Sequence, residues 1–149
     1  EFYKSLDNNY NVIKIGDYLE EILSQKGMSV IHDRNYYNYP VKVETYNNSR
    51  KGVQKILDEN IEINKIIDIH RDAISDIEHE ASTIMINGEE VARLRFVIGI
   101  NEENEEWLYD LKWAIEMQKL ADKKYPGLFM PILIRKRNYN QDLARYAIS

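Results

Sequence analysis

Between Asn11 and Lys26 the apolar residues Val12, Ile15, Leu19, Ile22 and Leu23 recur at helical spacing, which predicts an amphipathic helix. Asn11 is placed to cap its N-terminus and Gly27 to end it in the left-handed conformation. Met28 to Ile31 is short and apolar and leads into His32-Asp33, the pattern of a strand with a polar tip. Arg34 to Tyr46 reads as a loop rich in Asn and Tyr that contains Pro40. A second helix, capped by Asn48 or Ser49 and running to Glu59, would bury Val53, Ile56 and Leu57. Ile66 to Ile69 is an apolar run of the kind found in buried parallel strands, and it ends at His70.

Thr83 to Ile86 and Glu89 to Ile100 flank Asn87-Gly88, a dipeptide suited to a type I′ turn, so a β-hairpin is predicted. In its second strand Ala92, Leu94, Phe96, Ile98 and Ile100 share one apolar face. Glu105 to Lys124 reads as a long helix with Leu108, Leu111, Ile115 and Gln118 on one stripe and Trp107 and Ala114 beside it, ended by Tyr125-Pro126-Gly127. Met130 to Ile134 is a last full strand. The order predicts an α/β fold: a three-layer sandwich with a central mixed, mostly parallel sheet flanked by helices, including one β-hairpin. A single domain over residues 1–149 accommodates these elements. It opens directly on a helix and closes on Ala147-Ile148-Ser149, which resembles the start of a strand, so both ends are expected to continue in a longer protein.

Composition narrows the function classes. A net charge of −5 argues against a nucleic-acid binder held by phosphate contacts. No stretch approaches the ~20 apolar residues that cross a bilayer, and no signal-peptide pattern is present. With no cysteine, disulfides, thiolate nucleophiles and cysteine-based zinc sites are excluded.

The densest candidate chemistry is Asp68-Ile69-His70-Arg71-Asp72, because ligands of open α/β sheets bind beyond the carboxyl ends of the strands. A neutral imidazole there is a good metal ligand, and a carboxylate can fix its tautomer. Alternation places Asp68 on the same face as His70, with Asp72 beyond the strand end. Of the three histidines, His32 and His70 both follow apolar runs and are either a ligand or substrate-contacting pair, or two solvated strand-end side chains. His79, within Glu78-His79-Glu80, reads as part of a solvated acidic loop. Arg137, Asn140, Gln141 and Asp142 follow a strand and form either a polar-ligand site or an ordinary loop. Arg50, near a helix start, is an anion-contact candidate or a surface arginine. Glu102-Glu103 and Glu105-Glu106 favour a helix start, and Trp107, Trp113 and Met117, at helical spacings, read as core or flank rather than a cofactor site.

In sequence order the chain carries Gly16-Asp17-Tyr18-Leu19, Val30-Ile31-His32-Asp33, Tyr46-Asn47-Asn48-Ser49-Arg50 and Asp68-Ile69-His70-Arg71-Asp72. Tyr125-Pro126-Gly127-Leu128 and Asn138-Tyr139-Asn140-Gln141-Asp142-Leu143 follow. This ordered set resembles the stage II sporulation protein P family over nearly the whole chain. The resemblance implies a zinc-dependent peptidoglycan hydrolase on the fold of the N-acetylmuramoyl-L-alanine amidases. Such enzymes remove stem peptides from glycan strands and cleave peptide cross-links during engulfment. It further implies an extracytoplasmic location at the sporulation septum and engulfing membrane, and an N-terminal membrane anchor that this chain lacks. The implied partners are peptidoglycan and the lytic transglycosylase stage II sporulation protein D, with no nucleic acid.

On that resemblance His70 is the zinc ligand of the central strand. Glu1 matches the glutamate that closes the family's first metal motif, and the general-base glutamate is expected after Ser149. His32, Asp68, Arg71, Asp72, Arg137 and Asn140 are then candidates to touch substrate or support the ligands. The implied mechanism is metal-assisted amide hydrolysis, in which a carboxylate that does not bind the metal passes the water's proton to the leaving amine. The 149-residue segment by itself is expected not to release stem peptides from sacculi. The competing reading is a non-catalytic module that binds cell wall or a partner on the amidase scaffold. A metabolite enzyme is disfavoured, since none of the six glycines forms a phosphate-cradling loop.

Overall fold

Asn11 opens α1 (Val12–Gln25) as its sequence position demands: its side-chain oxygen accepts from Ile13 N at 2.9 Å. At the other end Gly27 takes φ +81° and donates to Ser24 O, closing the helix on the left-handed residue that glycine accommodates. A computed structural model describes residues 6–38, 44–71, 82–100 and 105–149. Of these, residues 6–53 and 69–71 belong to one compact unit, and residues 54–68 and 82–149 to a second. The division falls inside α2 (Thr45–Glu59).

In the first unit α2 begins before the expected caps. Glu44, at φ +60°, supplies the carbonyl that receives Asn48 N at 2.9 Å, so Asn48 and Ser49 lie inside the first turns. Met28 to Ile31, expected as a strand, forms no ladder. The residues that follow it, His32, Arg34 and Tyr37, dock instead on α1 and α2.

The second unit contains β1 (Lys65–Ile67), β2 (Thr83–Ile86), β3 (Glu89–Ala92), β4 (Val97–Gly99), α3 (Trp107–Lys124), β5 (Leu133–Arg135) and β6 (Tyr146–Ile148). Two strand pairs are parallel: β1 with β6 in the register Ile66↔Ala147, and β4 with β5 in the register Ile98↔Ile134. A 2.7 Å bond from Val97 N to Ser149 O lays the start of β4 beside the end of β6. The expected hairpin is formed by β2 and β3, with Asn87 at φ +54° and Gly88 at φ +86° in the turn. The class is therefore α/β, mostly parallel, with one hairpin.

The long apolar run Glu89–Ile100 changes partner midway. Its first half pairs with β2, Leu94 then bridges to Phe129, and its second half joins β5. The expected apolar face is inward only in the second half: Phe96 and Ile98 are core, whereas in the first half Ala92 and Leu94 are exposed and Val91, Arg93 and Arg95 are the more buried positions. Phe96, Ile98, Ala114 and Ile148 form the core centre, with Trp107, Leu111, Trp113, Met117, Phe129 and Ile132 against it. Burying each large aliphatic side chain contributes roughly 1.5–3 kcal/mol. The Phe96 and Phe129 rings stack at 4.6 Å. The inner face of α3 keeps Leu111 and the adjoining Trp107 and Ala114 on the core as expected, but it also takes in Asp110, and Leu108 is exposed.

Candidate functional site

In the first unit, Asp17 and Glu20 stand three residues apart on α1 and so share a face. Arg34 binds both. Its Nε donates to Asp17 Oδ1 at 2.9 Å, its Nη2 donates to Glu20 Oε2 at 2.6 Å, and its Nη1 donates to the His32 carbonyl at 3.2 Å. His32 Nδ1 lies 3.2 Å from Asp17 Oδ1 but without hydrogen-bond alignment, so the contact is electrostatic. Hydrogen bonding from Arg34 holds the Asp17 carboxyl below its ordinary value, with the His32 contribution smaller. Glu20 and then Asp17 raise the Arg34 guanidinium further above its own. These groups are partly exposed, so the network fixes geometry more than it adds stability.

Two glycines receive rings from the same segment. A Cβ on Gly16 would stand 2.2 Å from His32 Nε2, and one on Gly52 would stand 1.9 Å from the Tyr37 hydroxyl. Tyr37 donates to Asp33, and burial, followed by Asp33, pushes the phenol up to about 12. Asp33 Oδ1 also accepts from Asn35 N at 3.0 Å, an Asx turn that fixes the segment's path. Gly16→Ala is expected to lower stability although it improves helix propensity. The propensity gain is about 1 kcal/mol, and overpacking against an imidazole already held beside Asp17 costs about 1–3 kcal/mol. Thermal unfolding measures the balance, and a raised Tm would mean that the ring swings away freely.

Asp17, Glu20 and His32 each offer a ligand atom within 4.8 Å of the others, the one such group of three among the described residues. As arranged they do not fit zinc, because the Arg34 guanidinium occupies both carboxylates and already balances their charge.

In the second unit the candidate residues sit at strand ends. Asp68 follows β1 directly, and its N–H donates to Ile148 O at 2.9 Å, extending the parallel pair. Arg137 and Asn140 lie in the turn after β5, where Asn140 takes φ +59° and precedes a short 3-10 turn, Gln141–Leu143. Gln141 is structural: its Oε1 accepts from Gly99 N at 2.6 Å and its Nε2 donates to Val97 O at 2.8 Å. It thereby pairs two groups of β4 that strand pairing would otherwise have to satisfy.

His70 and Arg71 are exposed and are grouped with the first unit. An exposed imidazole three residues past β1 is suited to bind metal as one ligand. Among the described residues no group of three potential ligands includes it. Glu1, Asp72, His79, Glu102 and Glu103 lie outside the described residues. Sequence reading singled out His32 but missed Asp17, Glu20 and Arg34 as its surroundings. The i, i+3 spacing of the two acids was visible, whereas their meeting with Arg34 is a long-range contact.

Parallel strand pairs followed by polar, ionisable residues at their carboxyl ends define an α/β protein. Over residues 1–148 the chain matches the family model for Stage II sporulation protein P. Stage II sporulation protein P of Bacillus subtilis (strain 168) is 32% identical over 149 aligned positions, which cover 93% of this chain and 36% of that protein. No solved structure matches the chain. The chain belongs to the stage II sporulation protein P family, whose name places it in sporulation. It spans well under two thirds of that relative's length. No helix among the described residues is long and apolar enough to cross a membrane.

Proposed function

We propose that the full-length protein is a zinc-dependent peptidoglycan hydrolase that removes stem peptides from glycan strands and cleaves peptide cross-links during sporulation engulfment. The observation that carries this reading is His70, an exposed imidazole just past a parallel strand in a chain of this family. His70 would hold the metal together with Glu1, and a glutamate after Ser149 would serve as general base. The chemistry supplied by the metal when bound is Lewis acidity at the scissile carbonyl and activation of water. Asp68 or Asp72 would orient the His70 ring through its second nitrogen. Arg71 and Arg137 present planar forks suited to peptide carboxylates, and the Asn140 amide suits sugar N-acetyl groups or peptide carbonyls. His32, seated on Gly16, would act by supporting its loop.

On this reading the protein is anchored through an N-terminal segment and works extracytoplasmically at the septum and engulfing membrane. Its partner there would be the lytic transglycosylase stage II sporulation protein D. The full-length protein, purified and incubated with sacculi, is expected to carry stoichiometric zinc and to release stem peptides. Chelation should stop the release and added zinc restore it. Undiminished release in chelator overturns the zinc reading. Retained wall binding without zinc or release would assign the chain to a non-catalytic module on the same scaffold.

A further inference from the structure

A buried carboxyl group joins α3 to β6, and the proposed hydrolysis does not use it. Asp110 is 3% exposed, and its Oδ1 accepts from Ala147 N at 2.7 Å. Among the described residues it has no ion-pair partner. Of the elements in contact with α3, β6 carries Tyr146 with Arg145 just before it, the 3-10 turn carries Asp142 and β4 carries no titratable group; next to Asp110 on its own side are Tyr109 and, immediately before α3, Glu106. Arg145 is engaged over the rings of Tyr109 and Tyr146, at 5.1 and 5.7 Å, rather than on the carboxylate. Glu106, one turn back, adds a repelling charge. A carboxylate in this setting has one backbone donor to offset its desolvation.

We propose that Asp110 is a pH-sensitive latch on β6: the neutral acid sits without strain between α3 and β6, and its ionisation loosens that junction. The strand it controls is the parallel partner of β1, which leads in sequence to His70. The latch operates whether or not His70 binds metal.

Burial pushes the Asp110 carboxyl up from 3.8 to about 6; the Ala147 N–H opposes the shift and Glu106 adds to it. A folded-state value above the unfolded one gives stability that is full below the unfolded value and is lost as pH rises through the folded one. The rise corresponds to about 100-fold in the folding equilibrium constant across the whole range, of which about 10-fold falls between pH 5 and 7.5.

The test compares the chain with its Asp110→Asn variant, whose amide oxygen still accepts from Ala147 N but cannot ionise. Denaturant unfolding and amide hydrogen exchange are followed from pH 5 to 7.5. Relative to the variant, the wild type is expected to lose about 10-fold in folding constant, with matching loss of protection at Ala147 and Ile148. Equal pH slopes, or a variant less stable than wild type at pH 7.5, would overturn the latch. If the variant does not fold, carbon-13 titration of the wild-type Asp110 carboxyl decides: a raised midpoint supports the latch, and an ordinary or lowered one removes it.

Discussion

Replacing His70 with alanine in the full-length protein is expected to abolish zinc retention and stem-peptide release while leaving the fold intact. The side chain is exposed, and exposed substitutions change stability by about 0.5 kcal/mol or less. Loss of a group that merely orients a metal ligand already costs about 10–100-fold in affinity or activity. Loss of a ligand should therefore cost at least about 100-fold in release rate. Metal binding itself stabilises by mass action, so Tm must be compared in chelator, where wild type and variant should coincide. A variant that keeps zinc and activity would remove His70 from the metal site. A collapse of Tm in chelator would make His70 a structural residue instead.

Gly99→Ala is expected to cause the largest loss of stability. The constraint is space, not conformation: an added Cβ would stand 2.0 Å from Arg137 O and 2.9 Å from Asn138 O. Those are backbone atoms, which cannot rotate away as a side-chain tip can. The turn after β5 would have to move, and with it Gln141, whose amide pairs with Gly99 N and Val97 O. Overpacking costs about 1–3 kcal/mol, and each buried backbone group left unpaired adds about 1–3 kcal/mol. With Gly99 N and Val97 O both unpaired, the sum is about 3–9 kcal/mol, against a total stability of about 5–15 kcal/mol for a typical domain. Urea unfolding would register this as a lower midpoint with the same slope, and a change below about 1 kcal/mol would refute the close approach. Because the same turn carries Arg137 and Asn140, the variant should also perturb substrate contacts in the full-length protein.

What could be read from the sequence was local. Asn11, Gly27 and Asn87-Gly88 act through their own backbone or that of neighbours two or three residues away, and each is found where the sequence put it. Met28–Ile31 departs from the expected strand for the same reason. An apolar run predicts burial or pairing but does not name a partner, and here Gly16, Asp17 and Glu20 capture His32 and Arg34. In α3 the periodicity correctly gave a helix with Leu111, Ala114 and Trp107 on or beside its inner face, but it left out Asp110, which counts as polar until the Ala147 N–H is there to meet it. Gln141 was one of several polar residues after a strand, and only its two bonds to β4 set it apart from Asn140 and Asp142.

By itself, then, the sequence determined the α/β class, the helix ends, the hairpin turn and the ordered motifs that place the chain in its family. All of these depend on neighbours in the chain or on the order of residues along it. The tertiary structure alone decided where the run Glu89–Ile100 changes partner, which glycines must stay bare to receive a ring or a carbonyl, and which carboxylates are neutralised by Arg34 or stranded in the core. Those outcomes turn on residues that are distant in sequence and meet only once the chain has folded, and the energies at stake are desolvation and contact terms that exist only at that meeting.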